Sequence, residues 1–196
     1  MILPIVGYGA PILKRKAKDI SKDYKDLPKL IENMWETMYN ANGIGLAAPQ
    51  IGKSIRLFIA DPTPFLDDDE LTEEEKNTIK RAKKVYINPT IIEEEGEEWG
   101  FSEGCLSIPG INEDIFRPEK IKIEYFDEDF NKHIEEFDGL AARVIQHEYD
   151  HIEGILFTDK ISSLKKRLIK SKLKNITKGK VKVDYRMRFS DVKKPR

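Results

Sequence analysis

The chain has 196 residues, 39% apolar and 35% charged, with one cysteine and a net charge of −1. That is enough chain for one well-buried domain and short for two, and a single cysteine excludes a disulfide framework. No apolar run approaches the roughly 20 residues of a membrane helix, and the first residues carry Pro4, Gly7, Gly9 and Pro11 and read neither as a secretory signal nor as an Arg- and Ser-rich organelle leader. A reducing, cytoplasmic setting in a bacterium is the expectation.

The first 20 residues mix short apolar runs with Pro and Gly and read as an extended arm. Leu27, Ile31, Met34 and Met38 share one helical stripe, so a helix is predicted from Leu27 to Asn40, with Asn42-Gly43 ending it. The segment 43–52, GIGLAAPQIG, is a glycine-punctuated loop, and Ile55 to Ala60 reads as a strand. Residues 61–84 look like an acidic insertion: a proline-containing loop, then a short helix opened by a Thr72/Glu75 capping box. Val85 to Asn88 is a short strand that Pro89 limits. Ile121, Ile123 and Tyr125 alternate with Lys122, Glu124 and Phe126 as a half-buried strand, and Lys132 to Phe137 is its hairpin partner across a turn at 127–131.

A helix follows from about Gly139 to Glu153, with Asp138 as its N-cap and Gly154 as its stop. Leu164 to Ile176 is predicted as a basic helix, and 180–189, KVKVDYRMRF, alternates like a strand. Short antiparallel strands around one central helix suggest a single α+β domain over 1–196. The charge is uneven along it. From Asp159 onward there are 15 Lys and Arg against 3 Asp, so the body is about −13 and the tail about +12. The 160–196 extension reads either as a surface that meets nucleic acid or as a solvated helix and end.

The central helix carries the sharpest signal, QHEYDH at 146–151. His147 and His151 are four residues apart, which on a helix puts both imidazoles on one face within reach of one metal ion. Leu140 and Val144 continue that stripe, so the face is buried. Glu148 lies about 100° round the helix from His147 and can reach a water at the metal without being a ligand itself. A catalytic metal of this kind takes three protein ligands. The longer zinc-peptidase pattern would place a histidine at 157, where this chain has Phe157. His133 reads as a surface histidine on the hairpin. The third ligand is then Cys105, in SEGCLSIPG, or a glutamate from the body.

Three segments together resemble a known family. GIGLAAPQ (43–50), EGCLS (103–107) and QHEYDHIEG (146–154) look like the three motifs of peptide deformylases, in the family's order, and 8–20 resembles its N-terminal segment. The likeness covers residues 1 to about 170. It implies that Cys105, His147 and His151 are metal ligands and Glu148 the general acid–base. It also implies that Gln50 and the Leu106 N–H donate to the oxyanion, that Gly45 presents its backbone to the substrate, and that Phe101, Leu140 and Val144 line the methionine pocket. Glu103 and Arg117 would pair to steady the Cys105 loop.

The implied reaction removes the formyl group from the N-terminal formylmethionine of new proteins, so N-formylmethionyl peptides are the expected partners. The resemblance implies Fe²⁺ as the working metal, with Zn²⁺ or Ni²⁺ able to replace it. The nascent-chain substrate and the +12 tail together suggest contact with the ribosome. Ile152 replaces a common leucine, a change that conserves volume. The longer 61–84 segment and the strand-like tail depart from compact members of the family and leave the subclass open.

Overall fold

The structure, a computed structural model, describes residues 1–190, so the last six residues of the basic extension lie outside it. The chain starts with β1 (Ile5–Val6), and α1 (Leu27–Asn40) buries the stripe of Leu27, Ile31, Met34 and Met38 as its spacing predicts. Then come β2 (Gly45–Ala47), β3 (Leu57–Ala60) and α2 (Glu73–Ala82), the last opened by the reciprocal Thr72–Glu75 capping box. β4 (Lys84–Cys105), β5 (Ile108–Phe126) and β6 (Lys132–Asp138) follow, leading into α3 (Gly139–Glu153).

Strands β2 to β6 form one antiparallel sheet in sequence order. β3 reads Leu-Phe-Ile-Ala without alternation because both its faces are covered. Phe58 and Ala60 join the core built with Ala141, Ile145 and Ile152 of α3. Leu57 and Ile59 join the core built with Ile31, Met34 and Met38 of α1. On the α3 side, Phe58 stacks on Tyr86 at 4.7 Å, and Tyr86 lies 4.7 Å from Tyr125. Truncating one such buried aromatic costs about 3–5 kcal/mol. α2 is tied down by Ile79 and Ala82, which enter the same core.

The expected brevity holds for β2, β3 and β6, but β4 and β5 are long, at 22 and 19 residues. Pro89 does not end β4. The register shifts between Ile87 and Thr90, with Asn88 at φ 48°, and this bulge absorbs the missing N–H. Beyond it the hairpin extends to the Leu106–Ser107 turn, where Cys105 faces Ile108. Along Glu93–Glu98 every side chain is exposed, so no apolar alternation marks the strand.

Asp138 stands at the N-cap of α3 but makes no capping hydrogen bond. It still belongs to β6, and Gly139 at φ 51° turns the chain straight from strand to helix. At the other end Gly154 stops α3 at φ 76°, and a Cβ there would lie 2.8 Å from the Lys14 carbonyl carbon. The N-terminal arm therefore packs directly under the end of α3. α4 (Phe157–Lys160) and α5 (Ser163–Thr177) close a third core, in which Ile169, Leu173 and Ile176 meet Ile108, Ile111 and Ile115 of the hairpin. Only Met187–Arg188 of the expected 180–189 strand is paired, as β7, parallel to β1. Residues 180–186 lie across the body instead of along a neighbouring strand. Among the described residues, no helix is long and apolar enough to cross a membrane.

Candidate active site

The hairpin turn and α3 bring one residue set together. Cys105, His147 and His151 each offer a donor atom, and these atoms all lie within 4.8 Å of one another. Cys105 Sγ is 3.2 Å from His151 Nε2. The rings of His147 and His151 are 5.1 Å apart. His147 Nδ1 is held at 2.8 Å by Glu103 Oε2, which leaves Nε2 as its ligating nitrogen, and a carboxylate behind a ligand histidine fixes the ring and its tautomer. One thiolate and two imidazoles around a point are a donor set for a catalytic divalent metal with an open position.

Burial holds the His151 imidazole well below its usual range, reinforced by the charges of His147 and Arg117, so it is neutral as a ligand must be. Burial lowers His147 too, but Cys105 and Glu103 outweigh it and raise that imidazole to about 10. A metal ion bound here would therefore displace a proton. Burial pushes the Glu148 carboxyl up to about 7, against the pull of the His147 charge. A group near 7 can both take a proton and return it. Glu148 Oε2 is buried and has no protein hydrogen-bond partner. Gly45 leaves the carboxylate its room, because a Cβ at that position would lie 2.3 Å from Glu148 Oε1.

Gln50 sits in the short helical turn after β2. Its Oε1 accepts from the Ala47 N–H at 2.7 Å, which aims its Nε2 toward Cys105 Sγ at 3.5 Å and Ser107 Oγ at 3.4 Å. A cavity of 560 Å³ joins Gln50, Cys105, Leu106, His147 and Glu148 to Gly45, Phe101 and Val144. Leu140 is placed differently. It lines an adjoining depression together with Phe101 and packs against the α3 core. His133 lies away from the centre, 2.7 Å from Asp127 and stacked on Tyr125.

The expected Glu103–Arg117 pair is present and belongs to a larger buried network. Arg117 donates to both Glu103 oxygens at 2.6 and 2.9 Å and to Asp150 at 2.7 Å. Arg143 donates to Glu103 at 3.1 Å and to the Ile115 and Trp99 carbonyls, and its guanidinium stacks 4.3 Å over Trp99. Burial raises the Glu103 carboxyl, but Arg117 and His147 more than reverse this and hold it well below the carboxylate range. Sequence reasoning missed Arg143 and Asp150. The available signal is that Arg143 lies one turn before His147 on a buried stripe, where a charge must find a counter-ion. It also missed Phe65, which the acidic stretch places in the cavity, edge-on to Phe101 at 6.1 Å.

Comparisons with known proteins point to one family. A family described as polypeptide deformylase matches residues 2–167. The chain is similar to a peptide deformylase of Christiangramia forsetii, 67% identical over 196 residues that cover all of both chains. A peptide deformylase of Flavobacterium johnsoniae is 60% identical, again over the whole of both. The crystal structure of peptide deformylase from Thermotoga maritima is 39% identical, with a TM-score of 0.70, covering 83% of this chain and 99% of that one.

Proposed function

This chain belongs to the polypeptide deformylase family, and from that premise we propose how its residues carry the reaction. The enzyme is a peptide deformylase, a hydrolase. Its substrates are N-formylmethionyl peptides, and its products are formate and a free N-terminal methionine. The observation that carries the assignment of roles is the meeting of three donors at one point, two of which, Cys105 and His147, share a cavity with Glu148 and its unpartnered, buried carboxylate oxygen.

Cys105, His147 and His151 would hold the metal, and the ion supplies Lewis-acid chemistry that makes water nucleophilic near neutral pH. Glu148 takes the proton of the attacking water and passes it to the departing amine nitrogen as the carbon–nitrogen bond breaks. Negative charge grows on the formyl oxygen meanwhile, and the Gln50 side-chain N–H and the Leu106 backbone N–H donate to it. Losing one such donor costs about 3–4 kcal/mol of barrier. Gly45 brings the β2 backbone against the substrate, and Phe101 and Val144 receive the methionine side chain. Leu140 supports that pocket from behind, through Phe101.

Fe²⁺ is the metal we assign, on the family resemblance, with Zn²⁺ or Ni²⁺ as substitutes that the same donors accept. Activity lost in air and preserved by nickel substitution supports iron. Full activity of an as-isolated zinc protein argues against it. A reduced thiolate ligand and a nascent-chain substrate both belong in the bacterial cytoplasm. We further assign ribosome docking to the basic extension. α5 exposes Leu164 and Leu168 among its lysines, and the resulting basic, partly apolar face suits a ribosomal surface. Salt-sensitive co-sedimentation with ribosomes should vanish on truncation after Lys160, with folding of the truncated chain checked by circular dichroism. The same binding by a folded truncation refutes it.

The direct test is formate release from formyl-Met-Ala-Ser by anaerobically prepared protein, beside the unformylated peptide. Formate from the first and no cleavage of the second is the expected result. Cleavage of internal peptide bonds in both would make the enzyme a metallopeptidase instead.

A further inference from the structure

The family match ends at residue 167, yet the chain beyond it returns to the active site. Lys182, Val183, Asp184 and Tyr185 line the same 560 Å³ cavity as Cys105 and Glu148. The segment is tied at both ends. Lys180 N–H donates to Asn175 O at the end of α5. Past the cavity, Ile5 N–H donates to Arg186 O at 2.8 Å and Gly7 N–H to Arg188 O at 2.9 Å. Phe189 packs so closely on Gly7 that a Cβ there would lie 2.8 Å from its ring. In the middle, the Tyr185 hydroxyl donates to the Leu106 carbonyl at 2.8 Å.

Burial alternates along the segment. Val183 and Tyr185 are half-buried against the body, and Lys182 and Asp184 are exposed. A substrate that continues as a protein chain must leave the cavity past its walls, and this wall offers one exposed cation and one exposed anion there.

We propose that residues 182–185 form a wall of the substrate cleft, on which Lys182 and Asp184 read the charge of the peptide beyond its N-terminal methionine. Tyr185 is the positioning residue of this wall. Its hydroxyl anchors the segment to the turn that carries the Leu106 N–H, and the Tyr8 N–H clamps the Ser107 carbonyl of the same turn at 2.8 Å. The inference rests on the deformylase reading and adds a specificity determinant to it.

The test compares kcat/KM of the full-length, metal-loaded protein for formyl-Met-Ala-Glu and formyl-Met-Ala-Lys, both amidated at the C-terminus. Lys182→Glu should move the ratio toward the lysine peptide by about three- to tenfold, chiefly through KM, as reversing one exposed charge allows. Asp184→Lys should move it toward the glutamate peptide. Tyr185→Phe should lower kcat for both peptides, with metal content unchanged, and should shrink the ratio shifts that Lys182→Glu and Asp184→Lys produce. Active variants whose ratios stay at the wild-type value would overturn the proposal. A wild type that releases no formate from either peptide would fail the deformylase reading itself, a separate and recognisable result.

Discussion

Two histidine–carboxylate pairs of nearly equal length lie in different surroundings. His147 meets Glu103 at 2.8 Å, with side chains 12% and 4% exposed, and His133 meets Asp127 at 2.7 Å, with side chains 38% and 34% exposed. The first pair sits in a closed network in which Glu103 also accepts from Arg117 and Arg143. The second sits at a hairpin turn, where Asp127 also accepts from the Asn131 and Asp129 amides. Distance does not separate them. Water does, because a charge removed from water must be fully matched, while an exposed one is screened whether it is matched or not.

The comparison breaks most visibly if the buried carboxylate proves dispensable. Glu103→Ala leaves Arg117 and Arg143 buried without their shared partner, and it should cost about 3–5 kcal/mol of stability by denaturant titration. It also frees His147 Nδ1, so metal affinity by chelator competition should fall by about 10–100-fold. Near-wild-type values of both would show that the network does not set the centre.

Asp150→Asn is the intermediate case. It removes one charge from Arg117, which keeps both bonds to Glu103. We expect a loss of about 1–3 kcal/mol with metal binding retained, read by the same titration and a metal assay. A loss as large as that of Glu103→Ala would move the keystone of the network from Glu103 to Asp150.

Asp127→Asn should give the smallest effect, below about 1 kcal/mol, with activity intact. The small contribution of Asp127 has a definite pH window. Desolvation raises its carboxyl, but His133 and the turn amides outweigh this and hold it at about 2. A depressed carboxyl contributes above its unfolded value of about 4, and the contribution is lost as pH falls toward 2. An NMR titration of the Asp127 carboxyl with a midpoint near 4 would show that the turn does not hold it.

The same contrast explains how much could be read in the sequence. The α3 motif was legible because its chemistry is local: spacing alone puts His147 and His151 on one helix face, with Glu148 about 100° round from His147. Cys105 and Gln50 entered through the motifs around them, and α1, α2 and the strand around Ile123 through periodicity. The long β4–β5 hairpin was hidden, since Glu93–Glu98 carries no apolar alternation and its pairing is decided across the hairpin. Arg143 and Asp150 look like ordinary helix charges until Glu103 and Arg117 are brought against them. Tyr185 reaches Leu106 across 79 residues of sequence, a contact that no local pattern encodes. Asp138 fits the residue preference of an N-cap, but a strand that runs directly into the helix left its side chain without that role.

The central claim is that Glu148 moves the proton while Cys105, His147 and His151 hold the metal. Formate release from formyl-Met-Ala-Ser by wild type and by Glu148→Ala, with bound metal measured in both, tests it most directly. We expect rapid release by the wild type and near-complete loss in the variant at equal metal content. A metal-replete Glu148→Ala protein that released formate at the wild-type rate would contradict it.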